Sequence, residues 1–380
     1  MEEETSRRTR KPKKPRRRLG HYVFVIVLTL VVLIGGYAVR LYSQTKTAVD
    51  KTYDPVSTKA AVKSDITGKK PISILLLGTD TGAFGRTYTG NSDTMIVVTI
   101  NPKNKRTTMT SIPRDTLAEI EGADNAGAQK INAAYNAGGN DAAMKTVSQL
   151  LNIPINYYVT VNMAGLQKIV DAVGGIDVNV PFTWKDSHSG GYTFTKGKMH
   201  LDGAHALAFA RMRYQDPEGD YGRQKRQRQV ITQIVKEALT AKSLSNYSTL
   251  MDSLSNSMRT SLQFADMVAI AQKYADCIKH VKQTTLKGVG VYINGASYQV
   301  PTSETLQKTS DAIRGEMGLA KQPLNNYNTK QNAYNTKAGF NWNDGNNPVY
   351  TLYAAANAAA QTSTYDDNGT PVITAGSPGQ

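Results

Sequence analysis

The first strong hydrophobic pattern in the chain is an uninterrupted apolar stretch from His21 to Val39, which contains no Asp, Glu, Lys or Arg. A helix needs about 20 such residues to cross a bilayer. The preceding residues 1–20 carry nine Lys or Arg against three Glu, a net charge of +6. By the positive-inside rule this tail stays in the cytoplasm and the chain after Arg40 lies outside. A cleaved signal peptide is the alternative, but its apolar core is usually shorter and small residues follow it.

Beyond residue 70 the pattern alternates between short apolar runs and helical periodicity. Strands are predicted at Ser73–Gly78, Thr94–Ile100, Arg106–Ile112, Tyr157–Val161 and Ile176–Val180. Helices are predicted at Asp141–Leu151 and Ala164–Val173, because their apolar residues recur at helical spacing. Strands alternating with helices are typical of an α/β layered domain.

These patterns divide the chain into five parts. We predict a basic cytoplasmic tail, a transmembrane anchor, a polar juxtamembrane linker, one folded extracytoplasmic domain, and a polar low-complexity tail with no core of its own, at residues 1–20, 21–39, 40–70, 71–320 and 321–380. The predicted location is a cell membrane, spanned once, with the folded domain outside.

Composition narrows the class of protein. The single cysteine, Cys277, excludes an intramolecular disulfide, which fits an extracytoplasmic protein of many Gram-positive bacteria. The net charge of +15 would suit a nucleic-acid partner, but +6 of it lies in the first 20 residues. The folded domain is also predicted outside the cell, so no nucleic-acid partner is expected.

Charged residues stand at the ends of the first three predicted strands. Asp80 follows the first strand, Asp93 precedes the second, and Arg114 follows the third. If the first strand runs antiparallel to the second, all three residues share one edge of the sheet. Mg²⁺ prefers one or two carboxylates together with phosphate oxygens and water, so this edge is a candidate metal–phosphate site. A surface salt bridge with turn aspartates is the alternative.

A second basic cluster lies further along the chain. Arg211 and Arg213 are two residues apart and would point to one face in extended structure. A helix follows, in which Arg223 and Gln227 continue the apolar stripe of Val230, Ile231 and Ile234. We predict Lys225 and Arg228 on its solvated face. A buried arginine needs a partner, no acidic residue follows at helical spacing before Glu237, and an anionic ligand such as a phosphate would supply one.

Seven short motifs occur in the order in which they are found in the LytR-CpsA-Psr family of cell-wall ligases, which the chain resembles over the anchor and residues 71–320. The motifs are LLLGTD (75–80), NSDTM (91–95), SIPRD (111–115), KINAAY (130–135), VDAVGGIDVNVP (170–181), LDGAHALAFARMRY (201–214) and DYGRQKRQ (220–227). The resemblance implies an α/β fold with a mixed central β-sheet flanked by helices. It also implies a hydrophobic groove or tunnel for a polyprenyl tail, with the pyrophosphate at its mouth.

The family's activity implies a phosphotransferase. Its substrate would be wall teichoic acid or capsular polysaccharide on a polyprenyl-pyrophosphate carrier, its acceptor peptidoglycan, and its product a phosphodiester. Carried over by motif, Asp80 and Asp93 would hold Mg²⁺ (or Mn²⁺), and Asp220 would be the base for the acceptor hydroxyl, alongside Arg114, Arg211 and Arg213. The residues that would grip the pyrophosphate are Arg114, Lys130, Arg211, Arg213, Arg223 and Gln227.

One position departs from the family pattern. Asn91 stands where many members have Arg before Ser-Asp, and Arg86, five residues earlier, is the candidate to supply that charge. Two other classes of protein remain open: a membrane-bound transcriptional regulator or attenuator, and a non-catalytic module that binds wall polymers. Neither explains acidic residues placed to hold a metal beside a basic cluster.

Overall fold

The structure is a computed structural model. It describes residues 43, 46–47, 50–56, 66, 69–81, 90–124, 127–185, 190–239, 254, 256–346, 348–353, 363–365 and 371–373. The predicted anchor at 21–39 lies outside these residues. Among the helices that are described, none is both long and apolar enough to cross a membrane.

The elements follow one another in a mixed α/β order. The strands are β1 Ile72–Thr79, β2 Ser92–Asn101, β3 Arg106–Ser111, β4 Leu117–Glu119, β5 Ala128–Lys130, β6 Tyr157–Asn162, β7 Ile176–Val180, β8 Trp184–Lys185, β9 Thr193–Phe194, β10 Gly197–Leu201, β11 Met258–Thr260, β12 Val281–Thr285, β13 Val289–Ile293, β14 Ala296–Val300, β15 Ser363–Tyr365 and β16 Pro371–Ile373. The helices are α1 Ala133–Leu151, α2 Met163–Ala172, α3 Gly203–Arg211, α4 Gly219–Ala238, α5 Phe264–Lys273, α6 Ser303–Glu316 and α7 Tyr327–Lys337, with a 3-10 turn at Ala275–Lys279.

A six-stranded sheet in the order β11-β6-β1-β2-β3-β12 forms the centre of the fold. The β1–β2 and β2–β3 pairs are antiparallel, whereas β1–β6 and β3–β12 are parallel. The sheet is therefore mixed, with helices packed against it, as the resemblance implied. The predicted strands at 73–78, 94–100, 106–112 and 157–161 are all present within one or two residues, because each is a continuous apolar or β-branched run buried in the sheet.

The two faces of the sheet differ in how completely they are covered. One face, with Leu75, Met95 and Val97, packs against α1 and α6 in the largest core cluster. The other face, with Ile74, Ile96 and Met109, packs in a second cluster with residues of α4 and α5. Alternation of side chains along each strand assigns the residues to the two faces.

We predicted that the region after residue 320 is a tail without a core of its own. The structure contradicts this prediction. Helix α7 buries four amide side chains that donate hydrogen bonds to backbone carbonyls, namely Asn328 to Leu117, Gln331 to Tyr353, Asn332 to Pro301 and Asn335 to Thr351. Beyond it, Phe340, Trp342 and Tyr350 pack against β13 and β14. Packing here depends on amide–backbone hydrogen bonds and a few aromatic rings, so its low aliphatic content was misleading.

Candidate active site

The antiparallel pairing of β1 and β2 brings Asp80 and Asp93 to the same edge of the sheet. Thr79, immediately before Asp80, pairs with Ser92, immediately before Asp93. Arg114 follows β3 at this edge, and its Nη1 lies 2.6 Å from the Asp93 Oδ1. The conditional prediction that these three residues share one edge is therefore correct.

Three nearby carboxylates stabilise the charged form of Arg114. Burial alone would lower the pKa of Arg114, but the charge and hydrogen bond of Asp93, with smaller contributions from Asp115 and Asp220, raise the pKa above its ordinary value. Arg114 is thus held firmly in its charged form. Asp115 also forms an ion pair with Lys130 on β5, with 2.9 Å between the Asp115 Oδ1 and the Lys130 Nζ. The predicted site residue Lys130 therefore lies at the same edge of the sheet.

Arg211 lies at the end of a helix, and Arg213 lies just beyond it. Arg211 is the last residue of α3, and Met212 ends that helix with an extended backbone (ψ 134°). The Arg211 Nη2 lies 3.8 Å from the Asp80 Oδ1. The sequence analysis considered Arg211 and Arg213 in extended structure, but the backbone is extended only from Met212 onward, because residues 203–211 form a helix.

Arg223 is buried on α4, as predicted, with 8% of its surface exposed. Its partner is Asp220, three residues earlier on the same helix, so the expectation that no acidic side chain would serve it was wrong. Burial lowers the pKa of Arg223; Asp220 opposes this shift, and the nearby charges of Arg114 and Arg213 add to it. These mutual effects place Arg114, Arg213, Arg223 and Asp220 in one electrostatic cluster. The Arg223 Nε donates no hydrogen bond within the described residues.

Gln227 lies one turn after Arg223 on α4 and is half-buried. Arg228, which we had predicted on a solvated face, is instead 3% exposed. Its guanidinium donates to Ser111 Oγ (2.5 Å), Thr285 Oγ1 (3.0 Å) and Gln283 Oε1 (3.3 Å). Burial lowers the pKa of Arg228 to about 10. Helix α4 is therefore buried on more than one side, since Arg228 lies against the ends of β3 and β12.

A residue that sequence reasoning missed, Arg226, fixes the turn between α3 and α4. Its guanidinium donates to the backbone carbonyls of Phe209 (2.9 Å) and Met212, and it forms an ion pair with Asp216. The side chains of Arg226 and Asp216 are only 3% and 4% exposed. Arg226 therefore holds the segment that carries Arg211 and Arg213 against the start of α4. The only sign in the sequence was that Asp216 and Arg226 stand on either side of the turn. Their spacing of ten residues does not by itself predict an ion pair.

The candidate residues thus form one cluster of mixed charge. Five basic side chains face four carboxylates, for a net charge of +1: Arg114, Lys130, Arg211, Arg213 and Arg223 against Asp80, Asp93, Asp115 and Asp220. Asn91 is exposed, and Arg86 lies outside the described residues. An excess of arginine with a few carboxylates suits a phosphate bound together with a cation.

The carboxylates of the site suit magnesium, which takes its remaining ligands from phosphate and water, better than a metal that protein side chains alone must coordinate. Within the described ranges, no three His, Cys, Asp or Glu side chains come together closely enough to hold an ion. Asp80 and Asp93 nevertheless come from adjacent strands at one edge. Two carboxylates, completed by phosphate oxygens and water, are what Mg²⁺ commonly accepts, and Mn²⁺ takes similar oxygen ligands.

An incompletely covered apolar surface lies below this cluster. On the α4 and α5 side of the sheet, several apolar residues are only partly buried, namely Leu76, Ile100, Tyr157, Val159, Ile231, Met267 and Ile270. Leu76 lies four residues before Asp80 on β1, about 13 Å along the strand. The site therefore combines a charged edge with an apolar face that leads away from it.

The domain thus combines a mixed α/β fold with a basic, carboxylate-lined end of the central sheet and a partly exposed apolar face. Residues 38–315 match the model of the LytR_cpsA_psr family, and the chain belongs to that family. The prediction made from the seven motifs is confirmed.

Relatives in this family carry both enzymatic and regulatory names. The chain is 44% identical over 295 residues to the polyisoprenyl-teichoic acid–peptidoglycan teichoic acid transferase TagU of Enterococcus faecalis, covering 78% of this chain and 96% of the relative. It is 40% identical over 343 residues to biofilm regulatory protein A of Streptococcus mutans, covering 87% and 83%. The solved structure of TagT bound to LIIa-WTA matches with a TM-score of 0.59 and 27% identity, covering 70% of this chain and all of that one.

Proposed function

We propose that this protein is a membrane-anchored transferase that moves an anionic glycopolymer from a polyprenyl-pyrophosphate carrier to peptidoglycan. The observation that carries the proposal is the arginine-rich cluster at one end of the central sheet, with a partly exposed apolar face along the same sheet. A polyprenyl pyrophosphate has the same division into a charged head and an apolar chain. The name of the Enterococcus faecalis relative supports the assignment. The polymer is wall teichoic acid or capsular polysaccharide.

In the proposed reaction, the acceptor hydroxyl oxygen attacks the polymer-bearing phosphorus of the pyrophosphate. A new P–O bond forms, the bridging P–O bond breaks, and polyprenyl phosphate leaves. Phosphoryl transfer of this kind depends mainly on alignment and charge stabilisation. Arg114, Lys130, Arg211, Arg213, Arg223 and Gln227 are the residues we assign to the pyrophosphate.

Asp220 is the carboxylate we assign to accept the proton of the hydroxyl. It stands in the first turn of α4, paired with Arg223 and accepting a hydrogen bond from Gln224 (2.7 Å). When bound, Mg²⁺ or Mn²⁺ on Asp80 and Asp93 would neutralise phosphate charge at the same edge. The polyprenyl chain would lie along the apolar face that includes Leu76 and Ile231.

A regulatory role is the second candidate, because the Streptococcus mutans relative is named a biofilm regulatory protein. Transfer activity separates the two. The test is to incubate the purified protein with radiolabelled lipid-linked polymer and peptidoglycan oligomers, with and without Mg²⁺. We expect label to move to the oligomers only when the metal is present. Absence of transfer under conditions where the donor binds would favour regulation.

The proposed location has its own test. The basic tail and the apolar stretch at 21–39 orient residues 40–380 outward. A reporter enzyme fused after residue 380 that works only outside the cytoplasm should be active. Activity of a cytoplasm-specific reporter at that position would refute both the orientation and the substrate.

A further inference from the structure

A small sheet beside the candidate active site has one buried face and one exposed face. The β13–β14 hairpin is extended by residues 348–350, since Tyr292 N donates to Pro348 O (3.0 Å) and Tyr350 N donates to Tyr292 O (2.9 Å). The buried face carries Val291, Ile293 and Tyr350, packed in one cluster with Leu117. The segment from the C-terminal region therefore completes this sheet.

The exposed face carries five residues, which we call the hairpin platform: Gly290, Tyr292, Ser297, Gln299 and Val349. Register fixes this grouping, because Gly290 pairs with Gln299, Tyr292 with Ser297, and Tyr292 with Val349, and directly paired residues share a face. Tyr292 and Val349 are 43% and 75% exposed. Large apolar side chains on an open sheet face beside a site indicate a contact surface.

The hairpin platform begins at the candidate site. Gln299 Oε1 accepts a hydrogen bond from the Tyr221 hydroxyl (2.9 Å), and Tyr221 directly follows Asp220. Gln299 N also donates to the backbone oxygen of Asp115 (2.9 Å). Tyr292 lies two residues along β13 from Gly290, about 7 Å further out. A molecule resting on Tyr292 would therefore extend toward the side of the site where Asp220 lies.

The chemistry of the hairpin platform differs from that of the site beside it. None of its five residues is charged, whereas the adjacent edge is lined by arginine and aspartate. An anionic polymer would find no cation there to replace its lost hydration. A sugar ring would find a flat aromatic surface for its apolar face, with a hydroxyl and an amide for its own hydroxyl groups.

We propose that the hairpin platform binds the glycan strand of the acceptor, with a sugar ring stacked on Tyr292 and an adjoining hydroxyl directed toward Asp220. This inference rests on the proposed function and names the surface that the acceptor uses. It also gives the C-terminal segment a role, because residues 348–350 supply Val349 and the outer edge of the hairpin platform.

The test uses the full chain in detergent micelles, with radiolabelled lipid-linked polymer as donor and peptidoglycan glycan oligomers as acceptor. Tyr292→Ala should raise the KM for the acceptor by about three- to tenfold, the loss expected for one aromatic contact. The KM for the donor and kcat should stay within about twofold, since tyrosine touches neither the pyrophosphate nor the base. Tyr292→Phe keeps the ring and should behave like the wild type. Tyr334→Ala is the control for loss of a partly exposed tyrosine, because Tyr334 is 39% exposed on α7 and stacks on Tyr353, which is not a residue of the hairpin platform.

Direct binding keeps the proposal testable without turnover. Titration of the oligomers into each protein, followed by calorimetry, should show weaker binding for Tyr292→Ala alone, with unchanged melting temperatures. Equal acceptor binding by the wild type and Tyr292→Ala would refute the proposal that the hairpin platform binds the acceptor. It would leave the proposed transferase function unaffected. A raised donor KM, or lost association with anionic lipid vesicles, would assign the surface to the polymer or to the membrane and also overturn it. A wild type that binds both substrates without transfer would instead refute the proposed function.

Discussion

Replacing Arg223 with alanine tests the candidate site most directly. Arg223 is buried on α4, lies within the electrostatic influence of Arg114 and Arg213, and has an Nε that donates no hydrogen bond among the described residues. A bound pyrophosphate would therefore gain a charge-assisted contact. Losing such a contact costs about 1.5–3 kcal/mol, which corresponds to roughly ten- to a hundredfold in affinity.

The same substitution should lower the stability of the free protein. Removing one partner of a fully buried ion pair costs about 3–5 kcal/mol. Asp220 is 22% exposed and keeps its hydrogen bond from Gln224, so we expect the lower figure of about 1–3 kcal/mol here. If Arg223 had no carboxylate partner, as the sequence alone indicated, its removal would instead stabilise the free protein.

The assay is calorimetric titration with a short-chain polyprenyl pyrophosphate, alongside urea unfolding of the free protein. Lys236→Ala is the control, since Lys236 is exposed in the last turn of the same helix. Arg223→Ala should lose affinity, whereas Lys236→Ala should bind like the wild type. If Arg223→Ala folds and binds within about twofold of the wild type, Arg223 does not contact the pyrophosphate and the site must lie elsewhere.

Three further predictions concern the metal, the turn and the buried charge. Asp80→Ala and Asp93→Ala should abolish Mg²⁺-dependent transfer while circular dichroism stays native; full activity in either variant, or in chelator, would remove the metal from the reaction. Arg226→Ala should cost about 3–5 kcal/mol in urea unfolding, because it leaves Asp216 buried and unpaired; a loss below about 1 kcal/mol would contradict that. Because burial lowers the pKa of Arg228 from its ordinary value to about 10, the unfolded chain binds more protons than the folded one above about pH 10, and the stability contributed by this residue rises with pH there. The stability of the wild type minus that of Arg228→Gln should therefore increase by about 1 kcal/mol between mildly and strongly alkaline pH, and a constant difference would count against the shift.

The central sheet could be predicted from the sequence because its strands are continuous apolar runs bounded by turn residues. Ser73–Gly78 and Thr94–Ile100 needed no tertiary information. The shared edge of Asp80, Asp93 and Arg114 followed from one assumption about strand direction, which the pairing of β1 with β2 satisfies. Residues at the ends of regular strands were placed correctly because the strands themselves were.

Helix α4 shows why the rest could not be predicted. Periodicity divides a helix into one buried and one solvated face, but α4 buries Arg223, Arg226 and Arg228 in different directions. Each finds polar partners on a different element: Asp220 on its own helix, Asp216 in the preceding turn, and hydroxyls on β3 and β12. The partners of Arg228 come from distant parts of the chain and that of Arg226 from the preceding turn, so periodicity along one helix does not reveal them. Asp220 alone lies at helical spacing, three residues before Arg223.

The prediction for the C-terminal region was wrong for a related reason. Its Asn and Gln residues resemble those of a disordered tail, yet in α7 they replace an apolar core by satisfying backbone carbonyls of neighbouring segments. Composition measures how much apolar surface a segment can bury and not how well its amides match a particular backbone.

The pairing of Arg114 with Asp93 and of Arg223 with Asp220 has a consequence for turnover. An incoming phosphate does not meet bare cations; it exchanges with carboxylates that already occupy them. The net gain from each contact is the difference between two ion pairs, so affinity for the polyprenyl phosphate of the proposed reaction is limited, even though Arg223 is buried and Arg114 is half-buried. After transfer, the same carboxylates can reclaim their arginines as the spent carrier departs. In the proposed reaction, a site built this way favours release of the polyprenyl phosphate over its retention.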